Sequence, residues 1–566
     1  MTESTELTTQ PTTQPTTQPS GDSNIGQSLW SSVSNGSGLM LLACIATLVI
    51  FAQLGNLSKK PRLASGYWGG RKEIGIARRK AQKQIAGRKR NSVALYIGVK
   101  NPKYRVPDSK RLFLPDMQRG TAVAGAPGSG KTFSVIDPML RSAVELGYPI
   151  ILYDFKYPTQ CSRIAAYAKS LGYRIDIFAP GFPESQVCNP LDFLRDDTDA
   201  ETARQIASVL NKNFKLANAG PEDPFFGPAG DQLTEGVFVL AKATKYPDLI
   251  TCQTILDLDQ LGNRIEEADL NLWVKKSFGQ FLSVKGSEKT AASIQGTANN
   301  NFNRFTKPGL VGAFAGPTSL PLDLSGRQML IVGLDRERRD VVGPLAATIL
   351  HMIVTRNVVQ KRKDPLVVCL DELPTLYLPS LVNWLNENRE DGFCGILGFQ
   401  NMTQLEKAYG KEVARAIITG CSTKAIFNPG EPDSAKIFSE ILGEEEIRYK
   451  QKSRSQGKGG GSTSISEQDR TRKLFEPSQF LKLPQGRAIL ISPGFASKSK
   501  KEANIPINKE IKITKPEIRL VEEMEAGWDA VRDDCIRRST QVVPGEKDLA
   551  MRRAALEDLI PLPMTA

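Results

Sequence analysis

Nine short apolar runs punctuate the chain, at residues 93–97, 121–124, 150–153, 175–178, 329–332, 366–370, 395–399, 424–427 and 487–491. Runs this short and this uniformly apolar read as strands buried on both faces. Helical spacing separates several of them, and strands alternating with helices predict an α/β fold with a largely parallel sheet. The pattern changes between about 195 and 310. No strand-like run occurs there, and 200–216, 231–242 and 268–282 follow helical periodicity. That stretch is expected to form an all-α domain inserted into the α/β core. Residues 453–469 are rich in Gly, Ser and charge and read as a mobile loop.

The amino end follows another pattern. Residues 1–36 are polar, carry TTQP three times between Thr8 and Pro19, and hold no Lys or Arg; such a composition cannot bury a core and predicts a disordered tail. Residues 38–52 are then apolar or small without interruption, and with Leu54, Gly55 and Leu57 the stretch reaches the ~20 positions that a helix needs to cross a bilayer. A signal peptide wants positive charge ahead of its apolar run, and none is present. The expected organisation is an extracytoplasmic tail (1–36), a transmembrane helix (37–57), a basic juxtamembrane segment (58–92), a first part of the α/β core (93–194), an all-α domain (195–318), a second part of that core (319–505) and a helical tail (506–566).

Charge orients this arrangement. The chain carries a net +13, but residues 59–110 alone hold 16 Lys and Arg against 2 Asp and Glu. Basic residues following the span, with none before it, place the α/β core in the cytoplasm of a single-pass protein of the plasma (inner) membrane. The basic block at 71–90 either lies along anionic headgroups or forms a solvated linker helix. Eight scattered Cys exclude a disulfide framework and CxxC metal sites. The one His, His351, sits in an apolar run and reads as a core residue, which excludes His-based catalysis.

Chemistry enters at Gly125, Ala126, Pro127, Gly128, Ser129, Gly130, Lys131 and Thr132, a complete GxxxxGK[ST] between a strand and a helical stretch. Glycines let main-chain amides turn inward around phosphates, Lys131 reaches the terminal phosphates of ATP, and the Thr132 hydroxyl serves Mg²⁺. The apolar run 366–370 ends in Asp371 and Glu372. Asp371 suits the magnesium shell, and Glu372 suits polarisation of the attacking water. Gln400, at the end of another strand, is placed to contact the γ-phosphate or that water. Arg389 is either an ordinary surface residue or an arginine supplied to a neighbour's nucleotide. Residues 448–473 hold eight Lys and Arg, and read either as a phosphate-tracking pore segment or as a surface loop.

Together these residues resemble the type IV secretion coupling proteins of the TraG/TraD type, relatives of the FtsK and HerA pumps. Arg119 stands where the family keeps an Arg ahead of its P-loop. Tyr153, Asp154, Phe155 and Lys156 occupy the place of D-x-K-G-E, and Asn189, Pro190 and Leu191 match N-P-L. Asp223 to Phe226 with Ala229 resembles the opening of the all-α domain. Asp371, Glu372, Leu373 and Pro374 match the Walker B box. Arg389, Gln400, Gln404, Leu405, Tyr409 and Gly410 match the R…Q…QL…YG segment, and Arg472, Leu474, Pro477, Leu483 and Pro484 its C-terminal run. The resemblance implies a RecA-like P-loop NTPase core, a homo-hexameric ring, and single-stranded DNA with bound relaxase as cargo for a type IV secretion channel. It also implies that Arg119 and Arg389 contact nucleotide. Two departures stand out: no Gly-Glu follows Lys156, and one membrane helix is found where many members have two. A double-stranded DNA pump, or a nucleotide-binding receptor without turnover, are the alternative functions.

Overall fold

The computed structural model describes residues 40, 43–44, 46–48, 66–100, 107, 110–218, 226–457 and 460–563. The expected tail at 1–36 and most of the expected span at 37–57 lie outside the described residues; within that span Met40, Ala43, Cys44 and residues 46–48 are helical and exposed.

Thirteen strands are described: β1 (Ala94–Ile97), β2 (Leu112–Pro115), β3 (Thr121–Ala124), β4 (Ile150–Asp154), β5 (Arg174–Phe178), β6 (Gln328–Gly333), β7 (Leu366–Leu370), β8 (Phe393–Phe399), β9 (Thr423–Ile426), β10 (Glu444–Gly457), β11 (Gly460–Lys473), β12 (Arg487–Ile491) and β13 (Ile507–Glu510). Nine of them build one sheet in the order β13-β12-β9-β3-β8-β7-β4-β6-β5. From β9 to β5 neighbouring strands pair in parallel, while β12 and β13 close one edge antiparallel. Strands β3, β4 and β7 are buried along their whole length, as a sheet covered on both faces requires.

Alternate side chains feed two cores. Leu330 and Val332 of β6 point to one face, Met329 and Ile331 to the other. The first core takes the helices between β5 and β6, from Ala200–Asn218 to Pro308–Val311, together with Arg339–Val358. Among the described residues these connections contain helices and loops but no strand, and their apolar core runs without a break into that face of the sheet. The second core takes Asp137–Leu146, the β1–β2 pair and the basic helix Arg71–Gly87, which seats Ala77 and Ala81 and leaves most of its charges outside. Among the described residues one helix, Arg339–Val358, is long and apolar enough to cross a membrane, yet most of it is buried in the first core.

His351 lies on that buried helix, beside the Trp384 ring and 3.1 Å from the Gln205 amide. Burial pushes its pKa down to about 4, from an ordinary 6.5. The folded state therefore holds a neutral ring that the unfolded chain protonates more readily. Its contribution is complete above pH 6.5 and is lost as pH falls towards 4. Chemical denaturation at pH 6.5 and pH 5 is expected to cost wild type about 2 kcal/mol more than a His351→Phe chain. Equal losses in both chains would show that the ring does not titrate this way.

Of the residues 453–469 expected as a loop, 453–457 and 460–469 belong instead to β10 and β11, which form a two-stranded sheet of their own. Their sequences are polar at nearly every position, so no apolar alternation announces the strands. The C-terminal segment is more firmly held than a charged tail suggests. Trp528, Val531 and Cys535 pack into the second core, and Arg538 reaches the buried Asp176 at 2.9 Å. Further on, Arg552 pairs with Asp248 at 2.7 Å, with both side chains buried.

Candidate nucleotide site

The P-loop leaves the carboxyl end of β3, where open α/β sheets place ligands. Gly128 and Gly130 adopt φ +77° and +97°, conformations that side chains with a Cβ rarely take. The loop is tied to its surroundings by main-chain hydrogen bonds: Ala126 N–H donates to Asn428 O at 2.8 Å, and Gly486 N–H to Ser129 O at 2.9 Å. A helical segment starts directly at Thr132 and continues through Leu146, and the residues of its first turn line the cleft, where a helix amino end favours an anion.

Strand order explains why three distant segments meet. β8 lies between β3 and β7, and all three run in parallel. Their carboxyl ends therefore carry the P-loop, Gln400 and the Asp371–Glu372 pair side by side. Lys131 Nζ donates to Glu372 Oε1 at 2.8 Å and lies 3.6 Å from Asp371 Oδ1. Thr132 Oγ1 donates to Asp371 Oδ2 at 2.6 Å, and Gln400 Nε2 to Glu372 Oε2 at 3.2 Å. Glu372 itself adopts φ +69°, a left-handed turn that swings its carboxylate toward Lys131.

These side chains edge a cleft of about 890 Å³. Its lining includes Lys131, Thr132, Asp371, Glu372 and Gln400 together with the apolar Phe133, Ile511, Ile513 and Ile518. The donor set fits a magnesium nucleotide. Asp371 Oδ1 is buried without a hydrogen-bond partner, beside a threonine hydroxyl on the same carboxylate. Among the described residues no three His, Cys, Asp or Glu side chains gather as metal ligands, so a cation here takes the rest of its shell from phosphate and water.

Gly125 through Thr132, Asp371, Glu372 and Gln400 thus come together, whereas Arg119 and Arg389 do not join them. Arg119 ends a short helical turn just before β3, and Arg389 lies in the turn before β8. Both sit at the amino edge of the parallel strands, opposite the cleft. β8 alone spans about 20 Å.

The sequence places Asp154 and Lys156 in a family motif without a role, and sets Asp137, Arg163 and Phe133 in none. Asp154 accepts from the N–H groups of Gln160 and Cys161, both at 2.8 Å, and of Lys156 at 3.1 Å, which folds the segment after β4 into a wall of the cleft. Lys156 is exposed and lines that cleft. Buried Asp137 holds Arg163 at 2.8 Å, and the Arg163 guanidinium stacks 4.4 Å over the Phe133 ring. Burial pushes the Asp137 pKa up, against the lowering pull of Arg163. Phe133 directly follows the P-loop, and an aromatic there was the one available signal.

Gly398 shows how tightly the site is set. A Cβ at this position would collide with Asp371 Oδ1 and stand 2.9 Å from Ile136 Cδ1. Gly398→Ala is expected to cost about 1–3 kcal/mol in denaturant melts and to raise the magnesium concentration needed for nucleotide binding. An unchanged magnesium requirement would mean that Asp371 tolerates displacement.

A profile of the type IV secretion-system coupling protein DNA-binding domain matches residues 113–498. The chain belongs to this coupling protein family. The coupling protein TraD of Escherichia coli (strain K12) is 23% identical over 334 residues, which cover 57% of this chain and 43% of TraD. The match thus spans less than half of that relative's length. Among solved structures, the bacterial conjugative coupling protein TrwBdeltaN70 with sulphate aligns with TM-score 0.55 and 15% identity, covering 81% of this chain and 95% of that one. The plasmid coupling protein TrwB in complex with ADP and Mg²⁺ aligns with TM-score 0.53 and 15% identity, over 70% and 86%. At that identity the likeness shows that this coupling protein has the TrwB fold.

Proposed function

We propose that this coupling protein is a membrane-anchored ATPase that couples ATP hydrolysis to moving single-stranded DNA, with its bound relaxase, through a type IV secretion channel. The observation that carries this reading is the joining of Lys131, Thr132, Asp371, Glu372 and Gln400 in one cleft from three separate strands. The ADP and Mg²⁺ found with TrwB support the choice of ligand. The helices between β5 and β6 stand as the family's all-α domain, residues 37–57 as its membrane anchor, and a homo-hexameric ring as its assembly.

Bound Mg-ATP supplies the phosphoanhydride bond to be cleaved. The side chains then divide the work. Lys131 exchanges Glu372 for a phosphate oxygen, because both are anionic and the phosphates carry more charge. Glu372, so released, accepts the proton of the attacking water. Gln400 already touches Glu372, and its amide holds that water in line. Thr132 and Asp371 hold the cation.

Phosphate release measured with single-stranded DNA, with duplex DNA and without DNA tests the reading. Stimulation by single strands supports it. Preference for duplex points to a pump of the FtsK or HerA kind, and absence of turnover to a nucleotide-binding receptor. Loss of DNA binding with rising salt supports phosphate tracking by the basic residues of 448–473.

A further inference from the structure

A second cavity, of about 430 Å³, lies behind the catalytic residues. Phe155, Glu372 and Gln400 line both it and the nucleotide cleft. The wall between the two is therefore no thicker than these side chains, and the 3.2 Å hydrogen bond from Gln400 to Glu372 closes it. Beyond the wall, Arg339 and Lys407 contribute two cations, each on an exposed side chain. Among the described residues Arg339 pairs with its neighbour Asp340 at 3.4 Å, which also lines the cavity, and Lys407 stands in no ion pair there.

We propose that this second cavity is an inorganic-phosphate site, the exit through which phosphate leaves the cleft while ADP is still held. The inference rests on the ATPase reading. Lys131 and Thr132 place the terminal phosphate of a P-loop nucleotide beside Glu372 and Gln400, the side chains that this cleft shares with the second cavity. The side chains of Glu372 and Gln400 have to part beside Phe155, the third side chain of the wall, for the ion to pass backwards. Once Lys131 is on phosphate, Glu372 loses its strongest partner and is free to turn. Arg339 and Lys407 then offer the dianion compensating charge on the far side.

Two measurements test this on the full chain. In the first, phosphorus NMR follows line broadening of inorganic phosphate in the presence of saturating Mg-ADP, which keeps the P-loop occupied. Wild type is expected to broaden the line, and an Arg339→Ala/Lys407→Ala chain to do so at least fivefold more weakly. In the second, acid-quenched total phosphate is compared with free phosphate reported by a fluorescent phosphate-binding protein. The double variant is expected to cleave within twofold of wild type and to release phosphate at least fivefold more slowly. Lys407→Gln alone, at an exposed site, serves if the double variant folds poorly. Unchanged broadening, or cleavage and release slowed together, overturns the exit. A wild type that forms no phosphate in quenched samples overturns the ATPase reading and the exit with it, while the NMR arm still decides whether the cavity takes phosphate.

Discussion

Lys131→Ala is expected to lower ATP turnover by roughly 10³-fold and to weaken nucleotide binding as well. The reason lies in the contacts of the side chain. Lys131 is almost completely buried and sits 2.8 Å from Glu372 and 3.6 Å from Asp371. Removing its ammonium takes away a phosphate ligand, and it also leaves two neighbouring carboxylates without a counter-charge where a polyanion must enter. Breaking a buried pair by deleting one partner typically costs about 3–5 kcal/mol, a factor of several hundred or more in an equilibrium. Phosphate release and binding of a fluorescent ATP analogue measure the two effects separately. Turnover at the wild-type level would mean that the phosphates lie elsewhere, and the cleft would lose its assignment.

The positions of Lys131, Asp371 and Glu372 were legible because their chemistry is written in local sequence: a glycine pattern after one apolar run, two acids after another. What no local pattern contains is that β8 inserts between β3 and β7, although this order is what carries Gln400 to Glu372. Strands failed to show where their faces are not uniformly apolar. β13 reads Ile-Asn-Lys-Glu because it is an edge strand with one neighbour, and only Ile507 is fully buried. β2 differs, for Leu-Phe-Leu-Pro is apolar and buried throughout, but four residues ending in Pro115 offer too little length or alternation to mark a strand. The Asp137–Arg163 pair joins residues 26 positions apart across a turn that Asp154 organises, and only the folded chain reveals it.

Arg389→Ala is expected to reduce turnover by roughly 10³–10⁵-fold while leaving nucleotide affinity nearly intact. Its position makes the claim specific. Arg389 precedes β8 and the P-loop follows β3, its parallel neighbour, so within one chain the guanidinium and the cleft stand at opposite ends of the sheet. A contribution to catalysis must therefore reach another copy, as the proposed ring provides, and Arg119, ahead of β3, shares that edge. Complementation separates this from a local folding defect. Lys131→Ala subunits keep Arg389, and Arg389→Ala subunits keep an intact cleft. Mixed in equal amounts, the two inactive chains are expected to regain a substantial fraction of wild-type phosphate release, because some interfaces then combine a good cleft with a good arginine. A mixture as inactive as its components would confine Arg389 to a structural role within its own chain and remove the shared site from the mechanism.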